Sequence, residues 1–199
     1  MNKVFLFDVG GVIKYPFKIE DSYKILNVKE SFDVFKPFFK RTCALAESGK
    51  ITDEEFFNGF IKEFNLDMNL EQMIDNYNSI QGLYNEEALE LLKQIRNKGY
   101  KVCILSNLKK IDYDNFVRDI SKDCYDEFYK SYEIGHNKPD KEIYEYVIND
   151  LGVNPSDIIF FDDNRNNVDG ARELGIDARW TDVYHIVEYF KENNYFDIM

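Results

Sequence analysis

A few residues of this chain could act together on an anionic group. Asp8 closes the apolar run Val4-Phe5-Leu6-Phe7 and is followed at once by the glycine turn Gly10-Gly11. Ser106-Asn107 closes a second run, Val102–Leu105, and Asp162-Asp163-Asn164 closes a third, Ile158–Phe161. Lys138 precedes Pro139 in Gly135-His136-Asn137-Lys138-Pro139. A carboxylate exposed at the C-terminal edge of a buried strand costs stability in a bland turn, but it serves well as a nucleophile or metal ligand. Three carboxylates at one edge repel one another unless a cation joins them. An oxygen-only donor set, with no His or Cys, favours Mg²⁺ over zinc. The negative charges of Asp8, Asp162 and Asp163 are then matched by Mg²⁺ and Lys138, so a phosphate can enter without meeting net negative charge. Ser106 and the backbone amides of Asn107 and Val9 suit the equatorial phosphoryl oxygens, which leaves Asp8 in line for attack.

These residues converge only if the elements behind them run parallel. The strand candidates are Val4–Phe7, Val102–Leu105, a weaker Glu127–Tyr132, Ile158–Phe161 and Ile176–Thr181. Helical patterns alternate with them. Glu86–Lys98 places Ala88, Leu89, Leu91, Leu92 and Ile95 on one side and ends at Gly99; Asp140–Leu151 follows Pro139, with Asp140 a candidate N-cap and Gly152 its end. Asn164–Leu174 and Tyr184–Asn193 complete the set. Strands alternating with helices call for an α/β fold with a parallel sheet and right-handed crossovers. Residues 14–84 differ, being rich in Phe, Lys and Glu, helical in period and without a convincing strand. Thr52-Asp53-Glu54-Glu55 reads as a capping box opening a helix over Glu54–Phe64. A helical insertion directly after the first strand would sit over the sheet edge to which Asp8 points, as a cap. The expected division is a core of 1–13 and 85–199 with a cap of 14–84.

Bulk properties narrow the partners. At 199 residues the chain can bury a real core, and 44% hydrophobic with 31% charged residues is ordinary for a globular protein. A formal net charge of −12 argues against nucleic acid and anionic membranes. Cys43, Cys103 and Cys124 show no CxxC spacing and read as reduced cysteines of a cytoplasmic protein. Asp8 interrupts the N-terminal apolar stretch and no small-residue cleavage site follows, so a secretory leader is not expected. No obligate protein partner is inferred.

Taken together, Phe-Asp8-Val-Gly-Gly-Val, Leu-Ser106-Asn, Lys138-Pro and Phe-Phe-Asp162-Asp163-Asn resemble, in order and spacing, the motifs of the haloacid dehalogenase superfamily. The closer resemblance is to a subgroup containing α-D-glucose-1-phosphate phosphatases and the N-terminal phosphatase domain of soluble epoxide hydrolases. Glu47-Ser-Gly-Lys-Ile-Thr-Asp-Glu-Glu-Phe56 and Asp162-Asp-Asn-Arg-Asn-Asn-Val-Asp-Gly-Ala171 carry it. The resemblance implies a Rossmann-like core with a small helical type-one cap. It implies that Asp8 attacks phosphorus to form an aspartyl-phosphate and also binds Mg²⁺, that the Gly10 backbone carbonyl is a metal ligand, and that Asp163 is the direct carboxylate ligand. Asp162 is then expected to orient a metal-bound water, while Ser106 and Lys138 bind the phosphoryl group and Lys138 neutralises the nucleophile. The implied substrate is a small phosphorylated metabolite, with sugar 1-phosphates included.

One position departs from the pattern. Most phosphatases of the superfamily carry an aspartate where this chain has Gly10; it protonates the leaving oxygen and then activates water. Such help is worth roughly 10²–10⁴-fold in rate. Its absence favours leaving groups that need little protonation, such as an anomeric hydroxyl, an acyl group or an activated aryl oxygen. Two other readings remain open: a non-catalytic or weakly active phosphate-binding protein, and a carbon–halogen hydrolase, against which the metal-suited pair Asp162-Asp163 argues.

Overall fold

The computed structural model describes residues 3–193. Strand β1 (Val4–Phe7) leads into four helices, α1 (Ile19–Ile25), α2 (Phe32–Glu47), α3 (Asp53–Glu63) and α4 (Leu70–Ser79). The chain returns through α5 (Glu86–Asn97) to β2 (Lys101–Ser106), α6 (Lys110–Asp119), β3 (Glu127–Lys130) and the short α7 (Ser131–Ile134). It ends in α8 (Lys141–Leu151), β4 (Ile158–Asp162), α9 (Arg165–Glu173), β5 (Asp177–Trp180) and α10 (Ile186–Glu192). Residues 1–2 and 194–199, the ends of the expected core segments, lie outside the described residues.

All strand pairs are parallel and the order is β3-β2-β1-β4-β5. The α/β expectation therefore holds, with a Rossmann-like sheet. Successive side chains of β1 face opposite sides. Phe5 and Phe7 pack with Leu92, Phe116 and Phe190 from α5, α6 and α10. Val4 and Leu6 pack with Tyr144, Val147 and Val168 from α8 and α9. Burial on both faces explains why the strands read as unbroken apolar runs rather than alternating ones.

The order reverses at β1: the chain moves outward through β2 to β3, then crosses back for β4 and β5. Beyond the strand ends at such a reversal lies the crevice where open sheets bind ligands. Phe7 pairs with Ile104 and Phe161, so Asp8, one residue on, stands level with Leu105 and Asp162. Its amide donates to the Phe161 carbonyl at 2.9 Å.

Helices α1–α4 have an apolar cluster of their own, centred on Phe35, Phe39, Phe56, Phe57, Phe60 and Phe64. Rings meet edge to face, as in Phe38–Phe60 at 5.0 Å and 90°. These rings serve to pack the four helices together. The capping box forms: Glu55 N donates to Thr52 Oγ1 at 3.1 Å, and Thr52 N to Glu55 Oε2 at 2.8 Å.

The structure adds α6 (Lys110–Asp119), a helix not among those expected, between the second and third strands, and the other differences are local. The third strand stops at Lys130 because Ser131–Ile134 turns into α7 and ends at Gly135, φ 87°. Asp140 holds the N-cap position of α8 without a side-chain capping bond. The last helix begins at Ile186 because Asp182 Oδ1 accepts from the amides of Tyr184 and His185 in a turn ahead of it. Among the described residues no helix is long and apolar enough to cross a membrane.

Candidate active site

Lys138 is the hub of the strand-end crevice. Its Nζ lies 2.9 Å from Asp8 Oδ1 and 2.7 Å from Asp162 Oδ2, and donates to the Leu105 carbonyl at 2.9 Å. An ammonium has three donors, and all three are used. Asp8, Lys138 and Asp162 are 8%, 4% and 0% exposed. Burial opposes the charge on Lys138, but Asp162 and Asp8 together outweigh it and hold the ammonium above its ordinary range. Burial pushes the Asp8 carboxyl up to about 6, with Lys138 opposing and Asp162 adding.

Both oxygens of Asp162 are engaged. Oδ2 accepts from Lys138, Oδ1 from the Asn164 amide at 2.8 Å, and Asn167 Nδ2 reaches both at 3.0 and 3.1 Å. Asn164 also caps α9 by accepting from the Asn166 amide, so the strand-to-helix turn that positions Asp162 is set by its own residues.

Asp163 lies beside this group. One carboxylate oxygen from each of Asp8, Asp162 and Asp163 falls within 4.8 Å of the others. Burial pushes Asp163 up to about 7, with Asp8 and Asp162 adding and Lys138 opposing. Gly11 makes room for it. At φ +79° the residue is in the left-handed region, and a Cβ there would collide with the Asp163 carboxylate. Behind it, Trp180 Nε1 donates to the Asp163 carbonyl at 2.8 Å.

Gly10 and Ser106 line a cavity of about 380 Å³ together with Asn107, and Phe17, Phe39 and Glu47 close it from the helical side. Gly10 is exposed, and a Cβ built on it meets nothing within 4 Å. The Asn107 side chain is committed elsewhere. Its Nδ2 donates to the Lys138 carbonyl at 2.9 Å and its Oδ1 accepts from the Lys138 amide at 2.8 Å. Asn107 therefore locks the backbone of the catalytic lysine candidate, and its backbone amide is the group left for a phosphoryl contact.

A second buried ion pair borders the cavity. Lys109 Nζ meets Asp112 Oδ2 at 2.9 Å beneath the rings of Phe56 and Tyr77, each 5.1 Å away, and Tyr77 donates to Asp112 Oδ1 at 2.6 Å. With Asn115 Nδ2 donating to Asn78 Oδ1 and the Ile111 amide to Asp53 Oδ2, this pair seats α3 and α4 on α6. Cys43 also lines the cavity, but all three cysteines are free, and burial pushes the Cys43 and Cys103 thiols up to about 12, away from the reactive thiolate. His136 is exposed in its loop.

The sequence reading assigned no role to Asn167, Lys109 or Glu47. Asn167 had a readable signal, since it lies five residues after Asp162, one turn into the helix that Asn164 caps. Lys109 pairs with Asp112 at the local spacing of three residues, whereas the docking of Glu47 on Ser131 joins distant segments.

The model of the haloacid dehalogenase-like hydrolases matches residues 3–175. The chain is 29% identical over 142 residues to D-ribitol-5-phosphate phosphatase of Bacteroides thetaiotaomicron, covering 66% of this chain and 67% of that protein. It is 28% identical over 134 residues to drimenol cyclase of Aspergillus calidoustus, covering 65% of this chain but 25% of the fungal protein, so it spans about a quarter of that relative's length. A haloacid dehalogenase family enzyme of Bacteroides thetaiotaomicron, solved in complex with magnesium and inorganic phosphate, superposes with a TM-score of 0.81 at 28% identity, covering 92% of this chain and 96% of that one.

Proposed function

The chain belongs to the haloacid dehalogenase-like hydrolases, and from that premise we propose a Mg²⁺-dependent phosphomonoesterase that works through an aspartyl-phosphate on Asp8. Its substrate is a small phosphorylated metabolite, with sugar 1-phosphates among the candidates. The observation that carries this reading is the buried lysine held between Asp8 and Asp162, with Asp163 within reach of both carboxylates. Residues 14–84 act as the cap and residues 1–13 and 85–199 as the core.

The donor set fits a hard divalent cation. It is all oxygen, and two of its carboxyls are pushed toward protonation by burial and mutual repulsion, which a cation relieves. Asp8, Asp163 and the Gly10 backbone carbonyl would hold the ion, with Asp162 orienting a water on it. When bound it supplies the positive charge that draws in a phosphoryl group and offsets charge at its oxygens. Lys138 keeps Asp8 in position, and Ser106 with the Asn107 amide holds the phosphoryl oxygens. Asp8 attacks phosphorus as the bond to the leaving oxygen breaks; water then attacks phosphorus, releasing phosphate and restoring Asp8.

Metal binding is expected to show in stability. Asp8 and Asp163 have folded values of about 6 and about 7, above their ordinary 3.8. The metal-free fold thus binds protons that the unfolded chain does not, and its stability falls as pH rises from about 4 through about 7. Mg²⁺ must displace those protons, so its stabilising effect grows from pH 6 to pH 8. At 100 times its Kd it is worth about 2.7 kcal/mol. Melting curves with Mg²⁺ or chelator at both pH values read this directly. An equal shift in Asp163→Asn would remove Asp163 from the metal set.

Gly10 favours one second reading, a phosphate-binding protein without turnover. A phosphate-release panel of sugar, nucleotide and acyl phosphates separates the two, since Mg²⁺-dependent release supports the enzyme and silence supports the binder. Because a side chain at residue 10 meets open space, Gly10→Asp should fold and raise turnover on alkyl phosphates by about tenfold or more, with little gain on acyl phosphates. Unchanged or lower turnover in the folded variant counts against the missing-proton account.

A further inference from the structure

If Asp8 is the nucleophile, the departing oxygen and the incoming water both need a proton partner that Gly10 does not supply. Two acids line the cavity beside Gly10: Asp112 and Glu47. Asp112 is already engaged by Lys109 Nζ, the Lys109 amide and the Tyr77 hydroxyl. The Glu47 carboxyl has no hydrogen bond to any described residue, and it lines the same cavity as Gly10, Ser106 and Asn107.

Its position is built rather than incidental. Glu47 is the last residue of α2, and Ser131 Oγ donates to its carbonyl at 2.5 Å. One turn earlier, Asn137 Nδ2 donates to the Ala44 carbonyl at 2.9 Å. Two residues later, Gly49 lies so close to the Tyr132 carbonyl that a Cβ would collide with it. The end of α2 is thus docked on segment 131–137, which runs directly into Lys138. Its carboxyl is close enough to Asp8 and Lys138 to feel both charges, as well as those of Lys109 and Asp112. Burial moves it toward the neutral form, Lys109 opposes, and Asp112 and Asp8 add. A carboxyl shifted in that direction, on the wall of the cavity that Gly10 and Ser106 line, is placed to act as a general acid.

We propose that Glu47, delivered from the cap, is the general acid and base that replaces the missing residue-10 carboxylate, a role that rests on Asp8 being the nucleophile. In the first step an Asp8 oxygen bonds to phosphorus, the bond from phosphorus to the leaving oxygen breaks, and Glu47 gives that oxygen its proton. In the second step Glu47 takes a proton from water as the water oxygen bonds to phosphorus. The bond from phosphorus to Asp8 breaks, and phosphate leaves with Asp8 ionised and Glu47 protonated again. The cap then does more than select substrates, since the site lacks its proton donor when α2 is undocked.

The test compares kcat/KM of wild type and Glu47→Gln on acetyl phosphate, 4-nitrophenyl phosphate and glycerol 2-phosphate with Mg²⁺, using Asp8→Asn as the blank. The loss in Glu47→Gln should rise with the basicity of the leaving group, from a few-fold on acetyl phosphate to about 10²-fold on glycerol 2-phosphate. A burst of 4-nitrophenolate should appear as the second step slows. Adding Gly10→Asp to Glu47→Gln should recover most of the loss, a larger gain than Gly10→Asp gives in the wild type. A loss of equal size on all three substrates, or no recovery from Gly10→Asp, would make Glu47 a docking residue and overturn the proposal while leaving Asp8 as nucleophile. Activity in the Asp8→Asn blank would instead overturn the Asp8 reading on which it rests.

Discussion

Asp8→Asn is expected to release no phosphate from any substrate that the wild type turns over, a loss of at least about 10³-fold. The amide oxygen that replaces the carboxylate is a poor nucleophile, and the pull on a cation is lost with the charge. The fold should survive. Lys138 retains its contacts to Asp162 and to the Leu105 carbonyl, so the ammonium keeps a partner. Burial also penalises the ionised form of Asp8, whose carboxyl stands at about 6, so at pH 8 the variant should melt no lower than the metal-free wild type. Phosphate release measured beside melting curves at pH 8 tests both halves. Activity within tenfold of wild type in a normally melting variant removes Asp8 from the chemistry.

Lys138→Met is expected to produce a large loss of stability. Lys138 has a side chain 1% exposed between carboxylates that are 11% and 0% exposed. Removing the cation leaves Asp8 and Asp162 facing one another out of water, and it strips a donor from the Leu105 carbonyl. Breaking a buried pair from one side costs about 3–5 kcal/mol. In a chain of this size that is a fall in melting temperature of about 6–20 °C. The pH dependence separates this from a simple packing defect. Without Lys138 the Asp8 carboxyl rises further above its ordinary 3.8, so the folded state binds more protons than the unfolded chain. Stability then falls as pH rises, and the deficit against wild type should shrink between pH 8 and pH 6. Denaturant unfolding at the two pH values is the measurement. A deficit of the same size at both would mean that the loss is one of volume rather than charge.

The candidate site was legible in part because its residues end strands. Asp8, Ser106 and Asp162-Asp163 each follow an apolar run, and parallel strands bring their ends to one edge. Gly10 was legible as a departure because its neighbours fit a known pattern. The sequence offers the Asn107 backbone amide to a phosphoryl group but is silent on its side chain, which is spent on both backbone groups of Lys138, 31 residues away. The end of the third strand was misplaced for a similar reason. Ser131 leaves the strand to form α7, and its hydroxyl meets the carbonyl of Glu47, 84 residues away. Local propensity carries no information about either partner.

The sequence by itself determined the order of the strands, most of the helices between them, the helical insertion after β1 and the chemical types of the groups at the strand ends. Each of these follows from short-range periodicity and from residue chemistry. Only the tertiary structure decided which charges meet. It drew the three donors of Lys138 to Asp8, Asp162 and Leu105, and it seated the end of α2 beside the segment that leads into Lys138. Those contacts depend on sheet order and on how the inserted helices dock. Both are set by burial of apolar surface summed over the whole chain. The proposed nucleophile could therefore be read from one strand end, whereas its proposed proton partner, Glu47, emerges only when the insertion lies folded over the sheet.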